Sequence, residues 1–399
     1  MSVAHNMRRN VTLLALCQAL MMSTTTLIIT SSVLIGATLA DERQWASVPL
    51  TCMFSGMLVA TFPASMLMKR IGRRAGFLVG LTFALIGASL ATYAIIERAF
   101  EVFCCGFTLI GIYNGFGHYY RFAAADVATE DYRGRAIAWV MAGGIVAAVV
   151  GPNLANLTRN ILPASPFAGS YASLLLFYAA SVVLLIFTKI APSPVEERHG
   201  PSRPLSRIVA QPRFIVAVLS AVVAYGSMNF LMAATPLAMA GCGLNFSDTV
   251  IVIQWHVLGM FAPAFVTGHL IRRFGVTTIM AIGGVVLLLC FAINIFGSNL
   301  SNFVVGLCLL GVGWNFLFIG ATTLVTETYM PAEKAKTQGL NDLFVFGTVT
   351  ITALTSGYLH EHLGWTMLNI LVVPVVVIAL VAVLWMHRAR FSLAARVSS

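Results

Sequence analysis

Twelve long apolar runs, separated by charged residues or by glycine, proline and asparagine, dominate the 399-residue sequence. A bilayer core of about 30 Å takes about 20 residues of α-helix, so each run is long enough to cross it. The runs lie at residues 11–40, 45–68, 75–96, 102–128, 136–158, 170–189, 213–240, 249–271, 276–297, 302–326, 338–359 and 364–387. Only 10% of the residues are charged, against about 25% in soluble domains. The sequence therefore predicts an all-α membrane protein with twelve transmembrane helices and argues against a soluble enzyme.

The basic residues predict the orientation of these helices. With the N-terminus in the cytoplasm, 20 of the 24 lysines and arginines fall in cytoplasmic segments, and Arg43, Arg98 and Arg159 fall outside. This bias follows the positive-inside rule. The net charge of +10 therefore indicates topology and not a nucleic-acid partner. We expect a multi-pass protein of the inner (cytoplasmic) membrane with both termini in the cytoplasm.

A polar segment in the middle of the chain divides the twelve runs into two sets of six. It carries five prolines with charges between them, a composition typical of a linker. We predict an N-terminal six-helix half at 1–188, a cytoplasmic linker at 189–212 and a C-terminal six-helix half at 213–399.

Short motifs repeat between the two halves at an offset of about 200 residues. Lys69-Arg70-Ile71-Gly72 follows the second run, and Arg272-Arg273-Phe274-Gly275 follows the eighth. Thr129-Glu130-Asp131-Tyr132 follows the fourth run, and Thr326-Glu327-Thr328-Tyr329 follows the tenth. Such matches in the same order indicate duplication of a six-helix unit about an axis along the membrane normal.

These features resemble the major facilitator superfamily of bacterial secondary transporters, and the resemblance covers essentially the whole chain. The superfamily's signature loop after the second span reads G-x-x-x-D-R/K-x-G-R/K-R/K. Here Ser65 stands at the first glycine and Lys69 at the aspartate, while Arg70, Gly72 and Arg73 match later positions. The resemblance implies the twelve-helix fold of the superfamily and gating roles for Lys69, Arg70, Gly72 and Arg73.

A Gly-Pro pair in the fifth run, Gly151-Pro152, resembles a motif of antiporters in this superfamily. Gly143, Ala147, Gly151 and Ala155 recur at every fourth position, so they form one stripe of small residues that lets two helices approach closely. Two interpretations remain open, plain helix packing and a role of Gly151 and Pro152 in gating.

The fourth run contains polar residues on a single helix face. Asn114, His118 and Arg121 are spaced by four and three residues, which places them on one side of a helix. The resemblance implies that spans 1, 4, 7 and 10 line a central cavity. Arg121 is therefore predicted either to contact substrate or to form a structural salt bridge with Asp126 or Asp342. His118 is predicted to support proton coupling or to donate a hydrogen bond.

Two acids lie near the predicted cytoplasmic ends of their helices, Asp126 in the fourth run and Asp342 in the eleventh. In relatives, acids at these ends meet the basic loop after the second span. We therefore expect Asp342 and Asp126 to pair with Lys69, Arg70 or Arg73 and to latch the outward-open state.

Other polar and aromatic residues complete the predicted substrate-binding set, although each alone is better explained by helix packing. They are Gln18, Tyr225, Asn229, Gln254, His256, Trp314 and Asn315. Together with Arg121, His118 and Asn114 they describe a cavity with aromatic faces, hydrogen-bonding groups, one fixed cation and no deep carboxylate. This pattern favours a neutral or anionic, aromatic substrate. A flavin-like vitamin fits, and so do many organic acids.

The sequence thus predicts a secondary transporter that works by alternating access, coupled to H⁺. The alternatives are a proton-driven efflux pump for amphipathic drugs and, in a different class, a membrane sensor or receptor without transport. No catalytic motif is present, so we expect no enzymatic activity. The seven cysteines lack metal-ligand spacing, and no metal or cofactor is expected. The expected partners are a small-molecule substrate, H⁺ and the lipid bilayer but no nucleic acid, and the protein is expected to be a monomer.

Overall fold

The computed structural model describes residues 3–190 and 202–397, and these residues form helices and connections without a β-strand. Most of the predicted linker, residues 191–201, lies outside the described residues. The N-terminal half consists of α1 (Val3–Leu39), α2 (Val48–Ile71), α3 (Arg73–Glu97), α4 (Phe100–Gly117), α5 (Tyr120–Val127), α6 (Arg133–Met141), α7 (Gly143–Thr158) and α8 (Ala168–Ile186). The C-terminal half consists of α9 (Leu205–Val209), α10 (Pro212–Gly241), α11 (Phe246–Phe261), α12 (Ala264–Phe274), α13 (Val276–Phe296), α14 (Leu300–Thr326) and α15 (Lys334–Val397). Short 3₁₀ helices form at Arg43–Trp45, Glu130–Tyr132 and Pro331–Glu333.

Ten helical segments among the described residues are long and apolar enough to cross a membrane. An eleventh is obtained when α11 and α12, which meet at a 41° bend, are taken as one span. The final helix α15 contains 64 residues and has a non-helical residue, Gly364, inside it with φ 75° and ψ 173°. The prediction of an all-helical fold rich in membrane-spanning segments is confirmed.

Three predicted runs, 102–128, 136–158 and 249–271, are interrupted by short breaks between α4 and α5, α6 and α7, and α11 and α12. At the third break, Pro263 lacks the N–H needed to continue the helix. The first two breaks adjoin Gly117 and Gly143, residues that give the backbone freedom to bend. The break after Gly117 matters most for the site, because it interrupts the regular face predicted for the fourth run.

The buried side chains form two cores, which follow the two halves. One core is built mainly by α1 to α8 and the other mainly by α10 to α15. The halves meet where α2 packs against α15 and where α7 packs against α11. A space remains between them at the centre of the molecule.

Two ends of the molecule are distinguished below. The end that carries the loop Lys69–Arg74 is called the basic face, and the end that carries the 3₁₀ helix Arg43–Trp45 is called the opposite face. Gly72 belongs to the basic face, and its φ of 87° is a left-handed conformation that glycine adopts without strain. This residue ends α2 and allows α3 to start at the next position.

A candidate substrate cavity between the two halves

A cavity of about 170 Å³ lies between the halves, walled by α1, α2, α4, α10 and α11. This volume is far more than the roughly 10–15 Å³ that a single water molecule requires. The wall is rich in sulfur, with seven of the chain's 17 methionines: Met21, Met22, Met53, Met57, Met228, Met232 and Met260. Methionine is flexible and polarizable and makes favourable contacts with aromatic rings. The cavity therefore suits a flat, apolar ring system with a few polar groups.

Six residues of the predicted substrate-binding set line this cavity. They are Gln18, Asn114, His118, Tyr225, Asn229 and His256. The structure brings them together from both halves, the first three from α1 and the end of α4, and the last three from α10 and α11. The polar character of the cavity thus comes from amides, a phenol, two imidazoles and the hydroxyls of Thr25 and Thr26.

Three other predicted residues lie behind the wall. The Trp314 ring packs edge-on against the Tyr225 ring, with centroids 5.4 Å apart. Asn315 Nδ2 donates a hydrogen bond to the carbonyl oxygen of Met260 at 2.6 Å. Gln254 Oε1 accepts a hydrogen bond from Asn153 Nδ2 at 3.1 Å and thereby joins α11 to α7. In this structure these side chains support the cavity or the interface between the halves.

Arg121 is not among the residues that line the cavity, and the helix break after Gly117 separates it from Asn114. Its guanidinium lies over the Phe122 ring, 4.8 Å from the centroid, and its buried Nε has no hydrogen-bond partner among the described residues. Asp342 of α15 is the acid that interacts with Arg121 electrostatically across the two halves, although the pair is not within the 4 Å of an ion pair. Arg121 is therefore a partly buried cation placed between the cavity and the basic face.

His118 occupies the break itself, at the C-terminal end of α4. Its Nε2 lies 3.2 Å from Met57 Sδ, and its ring lies 5.7 Å from the Phe346 ring of the other half. His118 therefore lines the cavity and also lies close to the boundary between the two halves.

The predicted gating residues are partly brought together. Arg73 Nη2 lies 2.5 Å from Asp126 Oδ2, an ion pair that joins α3 to α5 within one half. Lys69 and Arg70 are exposed at the end of α2. Asp342 accepts a hydrogen bond from Asn341 Nδ2 at 3.1 Å and is in no ion pair with the three basic residues. The predicted latch between Asp342 and the basic loop, which would span both halves, is not formed in this structure. Its formation in an outward-open state stays a prediction.

The stripe of small residues packs α7 against α1. Gly143, Ala147, Gly151 and Ala155 are buried together with Pro152. A Cβ atom at Gly151 would lie 2.5 Å from the backbone oxygen of Ser23, so only glycine permits this approach. The structure accounts for the stripe as helix packing, while a role of Gly151 and Pro152 in gating stays a prediction.

Sequence reasoning missed one ion pair on the basic face. Arg203 Nη2 lies 2.7 Å from Glu333 Oε2, and the Glu333 carboxylate also accepts bonds from Arg203 Nε and from two backbone N–H groups. These bonds, led by that from the guanidinium, lower the pKa of Glu333 from 4.5 to about 2. This pair could not be predicted from local sequence, because Arg203 and Glu333 are 130 residues apart in the chain.

Sequence reasoning also missed the Met-rich wall of the cavity. The methionines of runs 1, 2, 7 and 8 were the signal that could have revealed it.

Comparison with known proteins agrees with this architecture. The chain matches the Major Facilitator Superfamily profile over residues 12–302 and over 217–397. It is 40% identical over 379 residues, 94% of each chain, to the riboflavin transporter RfnT of Brucella anthropi. It is 27% identical over 382 residues to the uncharacterized MFS-type transporter YddS of Bacillus subtilis, covering 90% of this chain and 87% of the relative.

A crystal structure of a mutant of the nucleoside transporter NupG shows the same fold. Its TM-score is 0.67 at 16% sequence identity, with 94% of this chain and 99% of that chain covered. Both the profile and the relative at 40% identity match nearly the whole sequence. The resemblance to the superfamily over essentially the whole chain is thereby confirmed. The chain belongs to the major facilitator superfamily and is a multi-pass membrane transporter.

Proposed function

We propose that the protein transports riboflavin or a closely related neutral heteroaromatic solute. The observation that carries the proposal is the 40% identity to a riboflavin transporter over 94% of both chains. The cavity supports it, because a wall of seven methionines with neutral hydrogen-bonding groups suits a planar ring system. Since Arg121 does not line the cavity, a neutral substrate is favoured over an anionic one.

We further propose that the chain crosses the inner membrane twelve times, with the basic face in the cytoplasm. A continuous helix of 64 residues would be about 96 Å long, roughly three times the hydrocarbon thickness. The non-helical Gly364 divides α15 into two parts, each long enough for one span. With the bent pair α11 and α12 counted once, this division gives twelve spans. The positive charges of the basic face then follow the positive-inside rule.

The proposed mechanism is alternating access around the central cavity, driven by H⁺. The ionisable groups placed for this task are His118, which lines the cavity, and the pair Arg121 and Asp342, which lies between the cavity and the basic face. Closing the basic face would bring Arg121 and Asp342 into an ion pair, because the two side chains belong to different halves. We propose that this pair completes the closed state together with the loop Lys69–Arg74.

The experiment that tests the transported solute is riboflavin counterflow in proteoliposomes, because counterflow requires neither a known direction nor a known coupling ion. Vesicles loaded with unlabelled riboflavin are expected to accumulate labelled riboflavin transiently, and unlabelled lumiflavin is expected to compete. Empty vesicles serve as the control. If the vesicles show no riboflavin counterflow but do transport hydrophobic cations, drug efflux would replace the proposed function. A ΔpH imposed across the same vesicles tests the coupling to H⁺.

A further inference from the structure

One imidazole in the cavity wall has its tautomer fixed by its surroundings. His256 Nδ1 lies 2.8 Å from the backbone oxygen of Leu307. A carbonyl oxygen only accepts hydrogen bonds, so Nδ1 carries the proton and donates. In the neutral ring, Nε2 is then unprotonated and can only accept. This Nε2 is buried and has no hydrogen-bond partner among the described residues, and His256 lines the cavity.

Other polar groups of the wall also present acceptors. Thr25 and Thr26 donate their hydroxyl protons to the oxygens of Met21 and Met22, at 3.0 and 2.7 Å. Only oxygen lone pairs of these hydroxyls are left for a ligand.

The side-chain amide of Asn229 also offers only an acceptor to a ligand, because its N–H groups are already used. Its Nδ2 donates to the backbone oxygen of Val349 and to Thr352 Oγ1, at 3.0 and 3.1 Å, so its oxygen is the group left over. Asn114 Oδ1 is buried without a partner among the described residues. Gln18 and Tyr225 also line the cavity and can donate, but the acceptors at His256 and Asn114 have no donor among the described residues and suit a solute that carries N–H groups.

We propose that His256 determines the specificity of the cavity by accepting a hydrogen bond at Nε2 from a ring N–H of the substrate. This inference rests on the proposed function and deepens it, because an isoalloxazine carries one such N–H on the edge of its ring system. The neighbours of His256 in the wall, Val257, Met260 and Phe261, are apolar and suit the ring. A buried acceptor left without its donor costs free energy, so ligands lacking the N–H are rejected.

The test compares two ligands that differ at this one atom, lumiflavin and its N3-methyl derivative, with binding measured by flavin fluorescence on purified protein in detergent. Wild type is expected to bind lumiflavin about 10- to 100-fold more tightly than the methylated compound. In His256→Phe this preference is expected to disappear, because the acceptor is gone. His256→Gln, whose side-chain oxygen can accept, is expected to keep part of it. His269→Phe, a change at an exposed histidine of α12, serves as the matched control with an unchanged preference.

The outcomes distinguish a failure of the proposed role of His256 from a failure of the proposed function. If wild type binds both ligands equally, or if the preference persists unchanged in His256→Phe, the role of His256 is overturned while the proposed function stands. If wild type binds neither riboflavin nor lumiflavin, both are overturned. A merely structural histidine would weaken both ligands by the same factor in His256→Phe and would lower the melting temperature. Monodispersity and melting temperature are therefore recorded for every variant.

Discussion

The two faces of the molecule differ in how the halves are held together. On the opposite face, Ser47 Oγ donates to the oxygen of Leu354 at 3.3 Å and accepts from the N–H of Gly357 at 3.2 Å, so α2 is bonded to α15. The rings of Phe167 and Phe246 also meet there across the halves, 4.9 Å apart. On the basic face, Arg73 pairs with Asp126 inside the N-terminal half, and Arg203 and Ser202 of the linker bond to Glu333 and Lys336 of the C-terminal half.

This difference identifies the conformation. Helix α15 illustrates it within one element, because a Cβ at Gly357 would lie 2.6 Å from Ser47 Oγ, whereas a Cβ at Gly339 or Gly347 would meet nothing within 4 Å. The part of α15 around Gly357, near the opposite face, is therefore tightly packed, and the part around Gly339 and Gly347, nearer the basic face, is not. The structure is thus closed at the opposite face, and the proposed alternating access requires a second state with the reverse pattern.

The largest effect is expected from removing the cation that would close the basic face. Arg121→Ala is predicted to lower riboflavin counterflow by about tenfold or more, the equivalent of one charge-assisted hydrogen bond. Binding of riboflavin is predicted to be retained, because Arg121 does not line the cavity. Counterflow and equilibrium binding, measured on the same preparation, separate the two effects.

A variant in which the charges of residues 121 and 342 are exchanged serves as the control for this prediction. The double variant Arg121→Asp with Asp342→Arg is expected to recover part of the counterflow that each single variant loses, because the pair is restored in reverse. Loss of binding in Arg121→Ala would instead place Arg121 in contact with the substrate, as one of the two sequence-based interpretations holds.

An intermediate effect is expected at Gly357, in the packed part of α15 near the opposite face. Gly357→Ala is predicted to disfavour closure of the opposite face by about 1–3 kcal/mol, the usual cost of overpacking. The matched control is Gly347→Ala on the same helix, whose added methyl meets no atom. Distances between spin labels placed on the two sides of the opposite face are expected to lengthen in Gly357→Ala only. Equal behaviour of the two variants would show that the contact at Ser47 does not hold the face closed.

The smallest effect is expected at Glu333, because its bonds join the linker to the C-terminal half and do not connect the two halves. The pKa of Glu333 is lowered to about 2 in the folded protein, so its ion pair with Arg203 stabilises the protein above the ordinary pKa of 4.5 and is lost as the pH falls toward 2. Glu333→Gln is therefore predicted to lower the melting temperature at pH 7, with a difference from wild type that shrinks below about pH 4.5. Counterflow is expected to change little. A difference independent of pH would contradict the role of the ionised carboxylate.

The fold was largely predictable because its signals are local. Apolar runs indicate membrane-spanning helices, and basic loops predict their orientation, without reference to distant residues. The positions where helices break were harder to predict, because the surroundings of Gly117, where an added Cβ atom would meet Met21 of α1, come from a helix distant in the sequence. Asn114 before this break and His118 within it line the cavity, whereas Arg121, three residues further on, does not.

The candidate site was predictable by residue type but not by role. His256 was recognised as a polar residue at membrane depth, yet its fixed tautomer depends on the Leu307 oxygen, 51 residues away. Likewise, Trp314 and Asn315 belong to the predicted face of the tenth run, but their side chains turn to Tyr225 and Met260 behind the wall. Such assignments depend on contacts between helices, and a single sequence does not report those contacts.

The most direct test of the account measures distances across both faces with and without riboflavin. Spin labels at the exposed, repeat-related positions Ile71→Cys and Phe274→Cys report the basic face, in a background where the exposed Cys105 and Cys242 are replaced by serine. Leu162→Cys with native Cys242 reports the opposite face. The account predicts that riboflavin shortens the first distance while lengthening the second. Distances that ignore riboflavin, or that change in the same direction, would contradict a riboflavin carrier working by alternating access.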